Sequence, residues 1–323
     1  MATPISTIPF KIAKKIYAIS NPDSSLFGRN WKIFPVKAYA NDLIHNALDS
    51  EKPLMIARLG ANEINCMINY LGVNFKEKFK NKTSYIKGQA PAWWWDKNMM
   101  DQMCDVAGFF PKETLLFSKF SKMMIEDLSS VDILGSWLKE ESFFKSELLL
   151  AKKVMLEDLE PFFINNPWTK ALEGKKVLVV HPFASTIQTQ YTKRELLFDI
   201  DVLPEFELKV LKAVQSYASE KTPFSDWFEA LEHMKDEIEK TDFDICILGC
   251  GAYGFPLAAH IKRMGKKSLH LGGATQLLFG IKGKRWENYI VYPYTNLYNS
   301  HWVRPDNQDK PQNVQLVEGG CYW

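Results

Sequence analysis

The chain lacks an excess of either charge. Its 40 Lys and Arg face 38 Asp and Glu, for a net charge of +2. Such a balance predicts no general nucleic-acid partner. No CxxC pair occurs among the five cysteines, Cys66, Cys104, Cys246, Cys250 and Cys321, so a structural zinc site is not expected. Their odd number, wide spacing and apolar neighbours point to reduced core thiols in a cytoplasmic protein. No apolar run reaches the roughly 18 residues that a bilayer-spanning helix needs. A signal-peptide pattern is also missing, because Lys11, Lys14 and Lys15 interrupt Phe10, Ile12, Ile16 and Ile19. That segment reads as a helix packed on the domain. Its mixture of basic and apolar residues also suits a peripheral contact with the inner face of a membrane. Internal repeats and low-complexity blocks are absent. So are a GxSxG elbow, an HExxH pair and a GxxxxGK(S/T) loop, and no cysteine has an evident activating histidine beside it. A serine or cysteine hydrolase is therefore disfavoured.

What the chain does have is alternation. Its 323 residues suffice for a sizeable core. Apolar runs at Leu54–Arg58, Val131–Leu134, Val154–Leu156, Lys176–Val180, Leu208–Val214 and Ile245–Leu248 read as strands, as does the run before Gly272. Helical patterns fall between them, at Val36–Leu48, Asn62–Tyr70, Trp93–Val106, Glu113–Leu128, Ser185–Leu197 and Phe224–Lys240. In the last of these, Trp227, Leu231, Met234 and Ile238 recur at helical spacing. The lysine-rich stretch 74–88 reads as an excursion or loop. Strands alternating with helices predict an α/β fold, a Rossmann-like, mostly parallel sheet with helices on both faces. The expected organisation is an N-terminal extension over 1–35, one α/β domain with helical excursions over 36–290, and a tail over 291–323 packed on it.

Ligands of such sheets sit outside the carboxyl ends of the strands. The residues to inspect are therefore Arg58–Glu63, Gly135–Trp137, His181–Phe183, Gln215-Ser216, Gly249–Gly254 and Gly272–Gln276. Gly249-Cys-Gly251-Ala-Tyr253-Gly254 fits GxGxxG between a strand and a helix, a context suited to nucleotide phosphates. A nicotinamide cofactor would also need an acid about 20 residues on to hold a ribose. Here the next strand ends His270-Leu-Gly272-Gly273, without one. Close packing is the other reading of these glycines.

Arg58 suits a phosphate clamp, and Glu63, in the first helical turn, suits a metal ligand, a base or a simple partner of the helix dipole. His181 is a candidate base or a hydrogen-bonded structural residue, and His270 is read the same way. Gln188, Tyr191 and Arg194 follow His181 on one predicted helix face. Lys282, Lys284 and Arg285 form a compact basic loop able to meet a diphosphate or simply to face solvent. Trp93-Trp94-Trp95 cannot all face one side of a helix, so one of them is expected to be exposed or to meet a partner such as a sugar or lipid.

The turn Arg58-Leu-Gly60-Ala61-Asn62-Glu63 resembles the R-(F/L)-G-D-x-E signature of GT-D-type glycosyltransferases. Val177–Arg194, Asp242–Trp286 and Glu318–Trp323 resemble segments of an uncharacterised bacterial group that carries this domain. The resemblance spans roughly residues 40–290 in pattern and is specific only at these blocks. It implies a glycosyltransferase that moves a sugar from a UDP- or GDP-linked donor to a glycan, lipid-linked or protein acceptor in surface polysaccharide or glycoprotein assembly. It further implies a divalent cation, Mn or Mg, held by the two acids of the signature. The first acid is Ala61 here. Either another carboxylate, with Asp132 the candidate, joins Glu63 at the metal, or basic residues replace the cation, or the chain is not an active transferase. The expected substrate contacts are Arg58, Gly60, Gln188, Tyr191, Gly249, Gly251, Tyr253, Gly254, Gly272, Gly273, Gln276, Lys282 and Arg285. Other readings are an NAD(P)-dependent oxidoreductase and a non-catalytic nucleotide-sugar-binding protein.

Overall fold

A computed structural model describes residues 5–30, 36–216, 222–289, 292–309 and 319–323. The elements run α1 (Ile8–Ser20), α2 (Lys37–Asp49), β1 (Leu54–Arg58), α3 (Ala61–Asn74), α4 (Lys76–Phe79), α5 (Lys82–Ile86), α6 (Lys97–Asp105), α7 (Thr114–Asp127), β2 (Ile133–Ser136) and β3 (Lys152–Met155). They continue with β4 (Lys176–His181), α8 (Ala184–Tyr191), β5 (Glu207–Lys212), α9 (Trp227–Glu239), β6 (Ile245–Leu248), α10 (Gly254–Arg263), β7 (Lys267–His270), α11 (Thr275–Leu278) and α12 (Lys284–Glu287). The seven strands form one sheet in the order β3-β2-β1-β7-β6-β4-β5. Every pairing is parallel. The Rossmann-like α/β architecture expected from the alternation is the one observed.

The central strands are buried on both faces, as parallel strands covered by helices must be. Their side chains alternate between two cores. Met55, Ala57, Leu178, Val180, Cys246 and Leu248 join the core that holds residues of α3, α6, α7, α9 and α10. Leu54, Ile56, Val177, Val179, Ile245 and Ile247 join the opposite core, with residues of α2, α8 and α11. Helix α9 begins where the Asp226 carboxylate accepts the N–H groups of Phe228 and Glu229, at 2.8 and 2.9 Å. Its four predicted apolar positions are all buried.

The local corrections have physical reasons. Trp93–Trp95 precede α6 instead of lying in it, because Asp96 caps Asn98 N–H at 2.9 Å and starts the helix there. The backbone of the tryptophan run is held by Asn69, whose amide donates to Ala92 O and Trp94 O. Trp94 is buried edge-on against Trp93 at 4.9 Å, and none of the three is fully exposed. The stretch 74–88 contains the short helices α4 and α5. All five cysteines are free thiols, and three of them, Cys66, Cys246 and Cys250, lie in one of the two cores.

Candidate functional site

Neighbouring strands send their chains to opposite faces of the sheet. After β1 the chain enters α3 in the first core, while after β7 it enters α11 in the second. The same divergence separates β4, followed by α8, from β6, followed by α10. These splits open a crevice at the carboxyl edge of the sheet. A cavity of about 210 Å³ lies there, and each of the six strand-end segments singled out in the sequence contributes to its wall.

Arg58 is the last residue of β1. Its guanidinium lies 5.3 Å from the centre of the Trp137 ring, which is itself fixed by an Nε1–H bond to Leu59 O at 2.9 Å. Burial lowers the pKa of Arg58, Glu63 raises it, and Arg285 lowers it further. Glu63, in the first turn of α3, folds back over Gly60, where an added Cβ would stand 1.9 Å from Glu63 Oε2. Its carboxylate accepts its own backbone N–H, yet burial still pushes its pKa up, against the pull of Arg58. Arg285 also lines the cavity and donates to the Tyr322 hydroxyl at 2.8 Å. Arg58 and Arg285 share the cavity with one acidic side chain, Glu63, and both histidines are neutral.

His181 ends β4 and is 3% exposed. Its Nδ1 accepts the Phe183 N–H at 2.9 Å, so in the neutral ring Nε2 carries the proton. Burial pushes its pKa down to about 3. At neutral pH His181 is therefore a hydrogen-bond donor, which corrects its assignment as a base. His270 ends β7. Burial first, and then the Arg58 charge, push it down to about 3, and its Nδ1 is buried without a partner.

The glycine loop has a different role from the one its pattern suggests. A Cβ at Gly249 would stand 2.5 Å from His181 Cδ2 and 2.7 Å from Thr275 Oγ1. At Gly254 it would stand 2.4 Å from His270 Nε2. Two of the three glycines thus make room for the protein's own side chains. Gly251, with φ +57°, faces open space. Tyr253 touches the cavity but stacks on Trp227 at 4.7 Å, with its hydroxyl 2.9 Å from Ser216 Oγ. Gly60, Gly272 and Gly273 line the wall. Gln276, fully buried, gives its amide N–H groups to Ile281 O and Tyr322 O and keeps Oε1 unpartnered.

Asp132, Gln188, Tyr191 and Lys282, four of the expected site residues, lie elsewhere, and Gly254 only backs His270. Asp132 precedes β2, at the amino edge of the sheet, where it accepts Met55 N–H at 2.8 Å and pairs with Lys262 at 2.7 Å. It cannot join Glu63 at the carboxyl edge. Gln188 is exposed on α8. The Tyr191 hydroxyl is held by Phe206 O at 2.8 Å and Phe206 N at 2.7 Å, beside β5. Arg194 pairs with Glu195 and Glu205 beyond the end of α8. Lys282 stands over the Tyr298 ring at 5.5 Å, outside the cavity.

A divalent cation in a nucleotide site is commonly held by one or two carboxylates together with substrate phosphates and water. The lining supplies one acidic side chain, Glu63, engaged with a backbone N–H and close to a guanidinium. Among the described residues no three His, Cys, Asp or Glu side chains converge as a metal site. Glu63 is therefore the one acidic side chain that the lining offers the expected cation. Tyr322 and Trp323, which close the cavity from the C-terminal tail, were not singled out individually by the sequence. Only their place in the Glu318–Trp323 block pointed to them, and Glu318 lies outside the described residues.

No known protein family, curated protein or solved structure matches the chain.

Proposed function

We propose that the carboxyl-edge cavity binds the diphosphate end of a nucleotide-diphospho sugar and that the protein is a glycosyltransferase working without a bound metal. The observation that carries this reading is the convergence of Arg58 and Arg285 on one cavity whose lining has a single acidic side chain, Glu63. Guanidiniums bind phosphate through paired, charge-assisted hydrogen bonds. In a site sheltered from water they would offset the charge that grows on a departing diphosphate. At about 210 Å³ the cavity is smaller than the roughly 300–1,000 Å³ typical of ligand pockets, so it suits the diphosphate and sugar, with the nucleoside toward the opening. Trp137, Tyr322 and Trp323 supply the aromatic faces on which sugars pack.

Glu63 is the base for the acceptor hydroxyl. Its raised pKa brings it closer to neutrality, where a general base works best. His181 Nε2–H would donate to a sugar hydroxyl or phosphate oxygen. The C–O bond from the anomeric carbon to the diphosphate breaks as the acceptor oxygen bonds to that carbon, and the acceptor proton passes to Glu63.

Calorimetry with UDP and GDP, each with and without Mn²⁺, tests the reading together with donor turnover. Metal-independent binding and turnover that disappears in Glu63→Gln are expected. The acidic limb of the pH–rate profile, where Glu63 takes up its proton, should lie above the ordinary glutamate range. Binding of NAD(H) alone would overturn the reading. Nucleotide binding with no turnover, unchanged in Glu63→Gln, would leave a binding protein.

A further inference from the structure

We infer that α1 and the lysine-rich segment carrying α4 and α5 form a docking face for an anionic lipid bilayer. Helix α1 has no buried residue. Ile8, Ile12, Ile16 and Ile19 are 48, 53, 62 and 83% exposed, and their spacing sets them in one stripe. The helix is nevertheless fixed to the domain, through its other side. Phe10 packs on Trp93 at 5.7 Å, Lys11 pairs with Asp96 at 2.6 Å, and Lys14 Nζ lies 4.6 and 4.8 Å from the Phe27 and Tyr85 ring centres. A helix that stabilises a core turns its apolar stripe inward. This one holds the stripe out.

Cations flank the stripe. Lys15 is exposed on α1, and α5 packs beside α1 with Lys82 Nζ 5.4 Å from the Phe10 ring centre. Between residues 76 and 87 stand five exposed lysines, Lys76, Lys78, Lys80, Lys82 and Lys87, against the single acid Glu77. That segment carries 5 − 1 = +4, so the remainder of a chain of net charge +2 carries −2. Among the described residues, none of the five lies within 4.0 Å of a carboxylate. Phe75, 51% exposed, adds an apolar side chain at the foot of α4.

An anionic bilayer answers both features, taking the isoleucines at the acyl boundary and the lysines at the headgroups. A second copy would bring the same face against itself, +4 on +4. The helix also borders a groove of about 700 Å³ lined by Lys11, Lys14, Lys15, Asn65 and Asn62. Asn62 lines the carboxyl-edge cavity as well, so the docking face and the candidate site are neighbours.

Co-sedimentation of the full chain with vesicles tests the assignment. Vesicles with about one third phosphatidylglycerol should retain roughly 10-fold more protein than phosphatidylcholine alone. The double variant Ile12→Ser/Ile16→Ser should keep its circular dichroism and Tm yet partition roughly 10-fold less. Lys78→Glu/Lys80→Glu should remove the preference for anionic lipid. The inference fails if the intact chain stays in solution with both vesicles, or if the isoleucine variant binds as the parent does. It fails equally if light scattering finds a dimer that the isoleucine variant dissolves. None of these residues lines the carboxyl-edge cavity, so the outcome is independent of the proposed transferase activity.

Discussion

Two strand-to-helix turns at the same edge of the sheet have come to opposite uses. Gly249–Gly254 carries the more recognisable pattern, yet Gly249 is filled by His181 and Thr275, and Gly254 by His270. Arg58–Glu63 has one glycine, and it is covered by Glu63 itself. The first turn therefore packs two neutral histidines between strands, while the second supplies the charge. A glycine pattern reports that something approaches the backbone closely, and the neighbour can be the protein itself. Which neighbour it is depends on the strand order, which puts β6 between β4 and β7 and so brings both histidines to one loop.

That contrast is easiest to break at the glycines. Gly249→Ala and Gly254→Ala should each destabilise the fold by about 3 kcal/mol, because a rigid ring has to move. Denaturant titration would read this, and a loss of nucleotide binding at full stability would instead make the loop a phosphate cradle. The histidines give the next largest effect. Their folded pKa values, about 3, lie below the ordinary 6.5, so the unfolded chain binds more protons between those values. Their contribution is complete above pH 6.5 and is lost as the pH falls toward 3. Tm should drop over that window, and His181→Asn or His270→Gln should flatten the drop. Gly251→Ala meets no atom and keeps only the strain of a positive φ, about 1 kcal/mol. Lys282→Ala and Gln188→Ala, both outside the cavity, should leave nucleotide affinity unchanged within about twofold.

Much of the fold was legible because the central parallel strands, buried on both faces, are continuous apolar runs, whereas β3 and β5 are only partly buried, carry lysines and showed as weaker runs. Their spatial order was not, since no residue in a run such as Val177–Val180 names its neighbour. The site was legible to the extent that it follows strand ends: Arg58, Glu63, His181, Gly272 and Gln276 all reach the cavity. Asp132 failed because its carboxylate sits just before β2, at the sheet's other edge. Tyr191 failed because helical spacing gives a face without saying which neighbour it meets, here Phe206. Arg285 was found from a charge run, yet its partner Tyr322 lies 37 residues away in a tail with no periodicity to read.

The central claim is that guanidiniums, and not a cation at Glu63, take the diphosphate charge. Isothermal titration of UDP into the parent chain, Arg58→Ala and Arg285→Ala, each with Mn²⁺ and with chelator, tests it most directly. The account predicts equal affinity with and without metal and a loss of roughly 100-fold in Arg58→Ala while circular dichroism shows the chain still folded. Binding that needs Mn²⁺, or that survives Arg58→Ala intact, would contradict it.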